Sequence, residues 1–341
     1  MSIKKAWPIL VGCCGLWACH AQGPVAVPPS TAAMVWIPSG TGVQGSDDDR
    51  ALPEERPAHA LHVSGFWIDR HEVTNAEFAR FVRATGYVTT SELPTPLERI
   101  MLQLPPGSPE PDPSALVAAS AVFIMPDPQL GVPGGWDYVQ GADWRHPEGP
   151  GSSIEARGNH PVVQVSWWDA MAYAAWAGKQ LPTEAQWEWA ARGGLLDAPY
   201  VWGFEPPDRE HPPLNMWQGT FPQFNAAKDG YLATAPVESY APNGYGLYDM
   251  AGNVWEWCAD AFDPHAYRGL ANQPALEDPF QAPIDAQDLA PRSLRGGSFL
   301  CSDNFCTRYR PSARTGNTPD SATNHTGFRC VKTSGPEPSR K

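Results

Sequence analysis

Positive charge is scarce in this chain. Of 341 residues, 24 are Lys or Arg against 37 Asp or Glu, which gives a net charge of −13 and a pI near 5.1. A nucleic-acid binder needs a basic face to displace counterions, so that class is excluded. Charged residues of both signs make up only 18% of the chain, too few for a self-repelling disordered protein. Cysteine is scarce too: of seven, Cys13, Cys14 and Cys19 fall near the N-terminus. The other four, Cys258, Cys301, Cys306 and Cys330, close at most two disulfides, too few to hold a chain of this length without a core. The apolar run Trp7 to Ala18 is shorter than the roughly 20 residues of a spanning helix. No Gly-rich phosphate loop, Gly-x-Ser-x-Gly elbow or His-Glu-x-x-His occurs.

Glycine (31) and proline (38) are abundant, which excludes a helical bundle and implies turns and irregular chain. Fifteen Trp, 12 Phe and 10 Tyr supply a large core.

At the N-terminus, Lys4 and Lys5 precede the short apolar run, and small residues follow, the order of an export signal. Two cleavage readings stand. Cleavage after Ala21 frees a soluble chain, whereas a lipoprotein box at Leu16–Cys19 makes Cys19 a lipid-bearing terminus and the only route to a membrane. The expectation is a signal at 1–21, a linker at 22–33, one domain at 34–333 and a loose tail at 334–341. The expected location is a bacterial periplasm, its lipid-anchored face or the exterior, and the expected form a monomer.

Met34–Ile37 reads as a strand, and Leu61–Ile68 as another by alternation. Thr74 with Glu77, Ser166, and Thr183 with Gln186 mark three helix starts. Gly86, Gly178 and Gly193 stop these helices, the second carrying Trp167, Met171, Ala174 and Ala175. Residues 104–133, rich in proline, read as a surface insertion around an Ala-rich turn at Ala115–Val122.

Three constellations can carry chemistry. Cys301-Ser-Asp-Asn-Phe-Cys306 sets two thiols at C-x4-C spacing, able to hold one soft ion or to close a disulfide. Gly252-Asn-Val-Trp-Glu-Trp257, with Asp249 before it, offers hard oxygen ligands, as does Asn215-Met-Trp-Gln with Asp229-Gly-Tyr231. Each of the latter two is also an ordinary solvated turn.

The order of motifs resembles one family. It runs Asp69-Arg-His-Glu-Val-Thr-Asn75, Trp144-Arg-His-Pro-Glu-Gly-Pro150, His160 to Trp167 and Leu181-Pro-Thr-Glu-Ala-Gln-Trp-Glu188. It continues through Asn215-Met-Trp-Gln-Gly219, Pro242-Asn-Gly-Tyr-Gly-Leu-Tyr248, Gly252 to Trp257, Arg295-Gly-Gly-Ser298 and Gly327-Phe-Arg-Cys330. This is similar to the formylglycine-generating enzymes, or sulfatase-modifying factors, over nearly all of residues 34–332.

The resemblance implies an α+β, variant C-type-lectin-like fold of twisted antiparallel sheets, few short helices and much irregular chain. It implies a copper-dependent oxidase that converts the cysteine of a Cys-x-Pro-x-Arg segment in an unfolded sulfatase to Cα-formylglycine, using O2 and a thiol reductant. Cys301 and Cys306 would hold Cu(I), with Ser298 and Trp255 beside the substrate thiol and O2. One calcium ion would be held by Glu72, Asn215, Met216 (carbonyl), Asp229 and Tyr231 (carbonyl). A second would be held by Asp249, Gly252 and Val254 (carbonyls) and Glu256. The alternatives within the superfamily are a non-catalytic lectin-like module and an iron-dependent sulfoxide synthase. Four features depart from the family pattern: Ser302 stands for His, Phe305 for Tyr, His325 or a shifted Asn324 for Asn, and Pro311 and Ala191 for disulfide cysteines. The last leaves Cys330 without its usual partner, and a Cys258–Cys330 pairing as the expectation.

Overall fold

The computed structural model describes residues 33–333, apart from 113, 115, 128, 130 and 284–288. The expected signal, nearly all of the linker and the tail lie outside the described residues. Among the described residues no helix is long and apolar enough to cross a membrane.

Among the described residues, four small sheets and four short helices make an α+β fold. Strand β1 (Met34–Ile37) pairs antiparallel with β4 (Phe66–Asp69). The expected single strand over Leu61–Ile68 is broken in two. β3 (His59–Val63) joins β2 (Gly40–Gln44) in a different sheet, and the break falls at Ser64-Gly65. Its cause is local: the Ser64 amide and hydroxyl bond the Asp278 carboxylate at 2.7 and 2.6 Å instead of a ladder. Gly65 passes so close to Trp36 that a Cβ would lie 2.5 Å from its ring.

Each expected helix forms behind its cap. α1 (Asn75–Thr85) follows Thr74, which accepts from the Glu77 amide, and ends at Gly86 in the left-handed region (φ 68°). After α2 (Leu97–Gln103) comes the Pro-rich stretch, which contains β5 (Ala119–Ile124), and β5 forms a hairpin with β6 (Gly135–Gln140). That corrects the expected turn at Ala115–Val122: Ala119 to Val122 lie in β5, and Val122 and Phe123 are buried. α3 (Trp167–Trp176) starts at Ser166 and buries Trp167, Ala170, Tyr173 and Ala174. Met171, expected on that stripe, faces solvent, because 170, 173 and 174 already fill the packed side. α4 (Glu184–Arg192) is capped by Thr183 and Gly193.

The sheet that carries the site has order β10 (Arg314–Asn317), β9 (Arg292–Arg295), β7 (Trp255–Ala261), β11 (Thr326–Gly327). β8 (Leu276–Glu277) pairs with β3, and β12 (Val331–Lys332) with β4. α4 packs on this sheet through Trp187, which is fully buried.

Cys258 and Cys330 are both buried free thiols. The expected pairing does not form. They sit in different apolar clusters, and burial pushes both thiols well above their ordinary range.

Candidate active site

β9 delivers the chain into Gly296-Gly297-Ser298. Gly297 adopts φ 73°, and a Cβ there would come within 3.0 Å of the Arg308 and Tyr309 backbone. Glycine therefore lets the two ends of the cysteine loop touch. The Ser298 carbonyl then accepts from the Cys301 amide at 2.8 Å, and the Cys301 carbonyl accepts from the Trp217 amide at 2.8 Å. Ser302 and Cys306 exchange backbone hydrogen bonds of 2.9 and 3.0 Å, which curls the loop back on itself. The two sulfurs meet at 2.6 Å, and both cysteines are free.

The pair is electrically unequal. The hydrogen bond from Cys301 and the Arg308 amide, helped by the Arg308 and Arg310 charges, lower the Cys306 thiol to about 7, against the pull of burial. Burial and the neighbouring sulfur push Cys301 well up. Near neutral pH this is one thiolate accepting from one thiol. Arg310 is held in place by Glu55, at 2.7 and 2.5 Å, and Arg308 by Glu54 at 2.8 Å. The sequence signal for this field was available in Arg308-Tyr-Arg310 directly after Cys306.

A cleft of about 240 Å³ opens over the pair, with Ser298, Trp255, Trp136 and His325 on its walls. All four residues expected at the reaction centre thus share one cleft. A larger cavity of about 490 Å³ is lined by Asp303 and Asn304 and holds no cysteine. We assign the chemistry to the smaller one because the thiols are there. Phe305 is exposed and stacks on Phe221, centroids 4.2 Å apart. Ser302 is buried and donates to Asn304 at 2.8 Å. Asn324 is spent on β5, accepting from the Phe123 amide at 2.9 Å and donating to its carbonyl at 3.3 Å. His325 is the neighbour that reaches the cleft.

The expected calcium ligands lie on adjoining loops. Asn253, not among them, links the two sets: its amide donates to Glu72 Oε1 at 2.9 Å and accepts from Asn215 Nδ2 at 3.0 Å. Gly252, at φ 73°, runs against the Asn215 carbonyl, where a Cβ would collide. Glu72 Oε2 and Asn215 Oδ1 are buried and have no partner. Asp229 accepts from the Met216 and Tyr231 amides, both at 3.0 Å, and from Gln218 Nε2 at 2.6 Å. Burial raises Asp249 to about 6, and burial with Asp249 and Glu256 nearby pushes Glu72 well up. Glu256, expected at the second calcium ion, also has protein partners. Its carboxylate is paired bidentately with Arg329 at 2.7 Å on each oxygen, and Oε2 also accepts from Trp187 Nε1 at 2.8 Å. Among the described residues, no three His, Cys, Asp or Glu side chains converge on one point. Calcium here would draw on amide and carbonyl oxygens beside single carboxylates, and the orphaned Glu72 carboxylate and Asn215 amide oxygens fit that need.

An α+β scaffold of small twisted sheets, holding an acidic thiol against a second thiol in an open cleft, defines a protein built for thiol chemistry. The chain matches the sulfatase-modifying factor enzyme 1-like domain over residues 21–334 and belongs to that family. It is 50% identical over 302 residues to the formylglycine-generating enzyme of Thermomonospora curvata, covering 87% of this chain and 92% of that one. It is 38% identical to a Mus musculus protein named inactive C-alpha-formylglycine-generating enzyme 2, covering 96% and 91%. Among solved structures, PvdO from Pseudomonas aeruginosa superimposes with a TM-score of 0.57 at 25% identity, covering 87% and 93%.

Proposed function

We propose that this chain is a formylglycine-generating enzyme that oxidises the cysteine of a Cys-x-Pro-x-Arg segment in a sulfatase polypeptide. The observation that carries this reading is the Cys301–Cys306 contact in an open cleft, with one sulfur acidic. An inactive relative exists in the family, so membership alone does not establish turnover. The thiol pair is the feature that argues for it.

Atoms and electrons balance with O2 and two reductant thiols. The substrate CH2–SH becomes an aldehyde, its sulfur leaves as H2S, the thiols become a disulfide and one water forms. The donor set fits Cu(I), since both ligands would be soft sulfurs and Cys306 is already near its thiolate form. Copper, when bound, would supply the one-electron chemistry that lets O2 react with a thiolate. The protein's own part is to hold Cys306 ionised through the Cys301 S–H, helped by Arg308 and Arg310, and to place Ser298 and Trp255 beside the reacting thiol. The aromatic walls shield the reacting groups from water.

We propose calcium as a structural ion at the Glu72, Asn215, Met216, Asp229 and Tyr231 loops, and a second beside Asp249, Gly252, Val254 and Glu256. The orphaned oxygens of Glu72 and Asn215 support it. We also propose export by the N-terminal segment to a bacterial envelope, which recovery of uncleaved chain from the cytoplasm would contradict.

The test of function is direct. Protein reconstituted with Cu(I) is incubated with a Cys-x-Pro-x-Arg peptide, O2 and a thiol, and the peptide mass is followed. Loss of one sulfur and two hydrogens with gain of one oxygen is the expected result. No conversion by protein with bound copper would overturn the reading.

A further inference from the structure

His325 stands in the cleft wall with its hydrogen-bonding state determined by its neighbours. Thr323 Oγ1 gives its only hydrogen to Thr326 Oγ1 at 2.8 Å. The same oxygen lies 2.7 Å from His325 Nδ1, so the ring nitrogen must be the donor in that contact. The proton of the neutral imidazole is therefore on Nδ1, and Nε2 carries a bare lone pair. Nε2 has no protein partner among the described residues, and it is not one of the sealed, unsatisfied atoms of the interior. The ring is held from behind by Trp136, with centroids 4.8 Å apart, and its carbonyl is tied to the Trp255 amide at 2.9 Å. Burial drives the imidazole down to about 3, so it does not act as a proton store near neutral pH.

We propose that His325 is a positioning residue: its Nε2 accepts a hydrogen bond from one backbone N–H of the extended polypeptide in the thiol cleft. The inference rests on the proposed function and deepens it, by naming the contact that sets the substrate's depth and register. The lone pair faces a cleft whose walls include Trp136, Phe221, Trp255 and Leu300. A ligand with no donor at that point would leave the acceptor desolvated and unpaired, so the site selects against proline or an N-alkylated residue there. A backbone N–H is the donor of choice. It is present whatever the side chain, and a neutral acceptor of such low basicity does not take the proton itself.

The test reads binding and needs neither copper nor turnover. A Ser-x-Pro-x-Arg peptide, in which serine replaces the reacting cysteine, is titrated by calorimetry against the parent, His325→Phe and His325→Gln. A set of the same peptide methylated at one backbone nitrogen at a time is titrated alongside. His325→Phe should weaken binding about tenfold, the scale of one unpaired buried acceptor, and His325→Gln should restore most of it. One methylated peptide should lose a similar factor against the parent and nothing further against His325→Phe, the signature of a direct pair. Thermal melts of each variant identify any that fail to fold, and His325→Gln then carries the comparison. Equal binding by parent and His325→Phe overturns the inference alone, as does a methylation effect that persists in His325→Phe. A parent that does not bind the peptide overturns the proposed function and this inference with it.

Discussion

At the residue scale, the acidity of Cys306 is the property most open to measurement. In copper-free protein, its alkylation by iodoacetamide should rise with pH and reach half its maximum near 7, not near the 8.5 of a free thiol. Cys301→Ala removes the S–H donor that stabilises the thiolate, so the midpoint should move to higher pH. A parent midpoint at or above 8.5 would contradict the electrostatic picture. Cys301→Ser instead replaces a soft ligand by a hard one. Cu(I) affinity and peptide turnover should fall by more than about 100-fold, while the fold persists, because ligand loss exceeds the effect of losing a supporting contact. A copper titration beside a thermal melt separates the two effects. The thiol pair was visible in the sequence, but its spacing alone left it open to a disulfide, and the family resemblance pointed to a metal pair. Its unequal charge was not legible, since that depends on Cys301 donating to Cys306 and, further, on Arg308 and Arg310, which are held by Glu54 and Glu55 more than 250 positions away in the chain.

At the element scale, short helices and irregular loops depend on their ends. The Ser166 hydroxyl accepts from the Asp169 amide and lies 2.7 Å from Thr90 Oγ1, joining α3 to the preceding loop. Ser166→Ala should cost about 1–2 kcal/mol in a denaturant titration, the upper part of the range for a cap, because the site is buried. The loops around Glu72 and Asn215 should respond to calcium. At 100 times its dissociation constant, the ion should add about 2.7 kcal/mol, and EGTA should lower Tm accordingly. A melting curve unmoved by EGTA, from protein shown to hold calcium, would remove the structural role. Without the ion the pH dependence also has a definite sign. Asp249 is raised to about 6, so the unfolded chain gives up its proton first, and stability should fall as pH rises from about 4 to 6. Adding calcium should flatten that fall. The three capped helices were legible because a cap and its partner lie within one turn. The β5–β6 hairpin was not, because its reason for existing is the packing of Phe123 against Trp217 and Phe221, which no local pattern announces.

At the scale of the whole molecule, buried ion pairs tie the helical face to the active-site sheet. Glu184, at the start of α4, takes Arg314 on both oxygens at 2.7 Å and Arg295 at 3.0 Å. Burial opposes its charge, but Arg314 and Arg295 prevail and hold it at about 2. Glu184→Ala would leave two guanidinium groups buried and short of a partner, and should cost about 3–5 kcal/mol by chemical denaturation. Arg80→Ala, which breaks an exposed 3.7 Å pair with Glu77, should cost less than about 1 kcal/mol. Similar losses for the two would mean that the buried network does not carry the load assigned to it. The sign with pH follows from the low value. The Glu184 contribution is complete above its unfolded value near 4.5 and is lost as pH falls towards 2.

What the sequence determined by itself is what neighbours in the chain can decide. Thr74, Ser166 and Thr183 set helix starts, glycines set their ends, and the ordered motifs with Cys301 and Cys306 announced the family. Only the tertiary structure decided which groups of a motif remain available for chemistry. Glu256 and Asp249 look alike in sequence, but Arg329 and Trp187 bond the first and the Glu238 amide the second. Asn324 and His325 are adjacent, but β5 takes the first and leaves the second in the cleft. The reason is physical. A buried charge or polar atom must be matched wherever the fold brings a partner, and such partners come from distant parts of the chain.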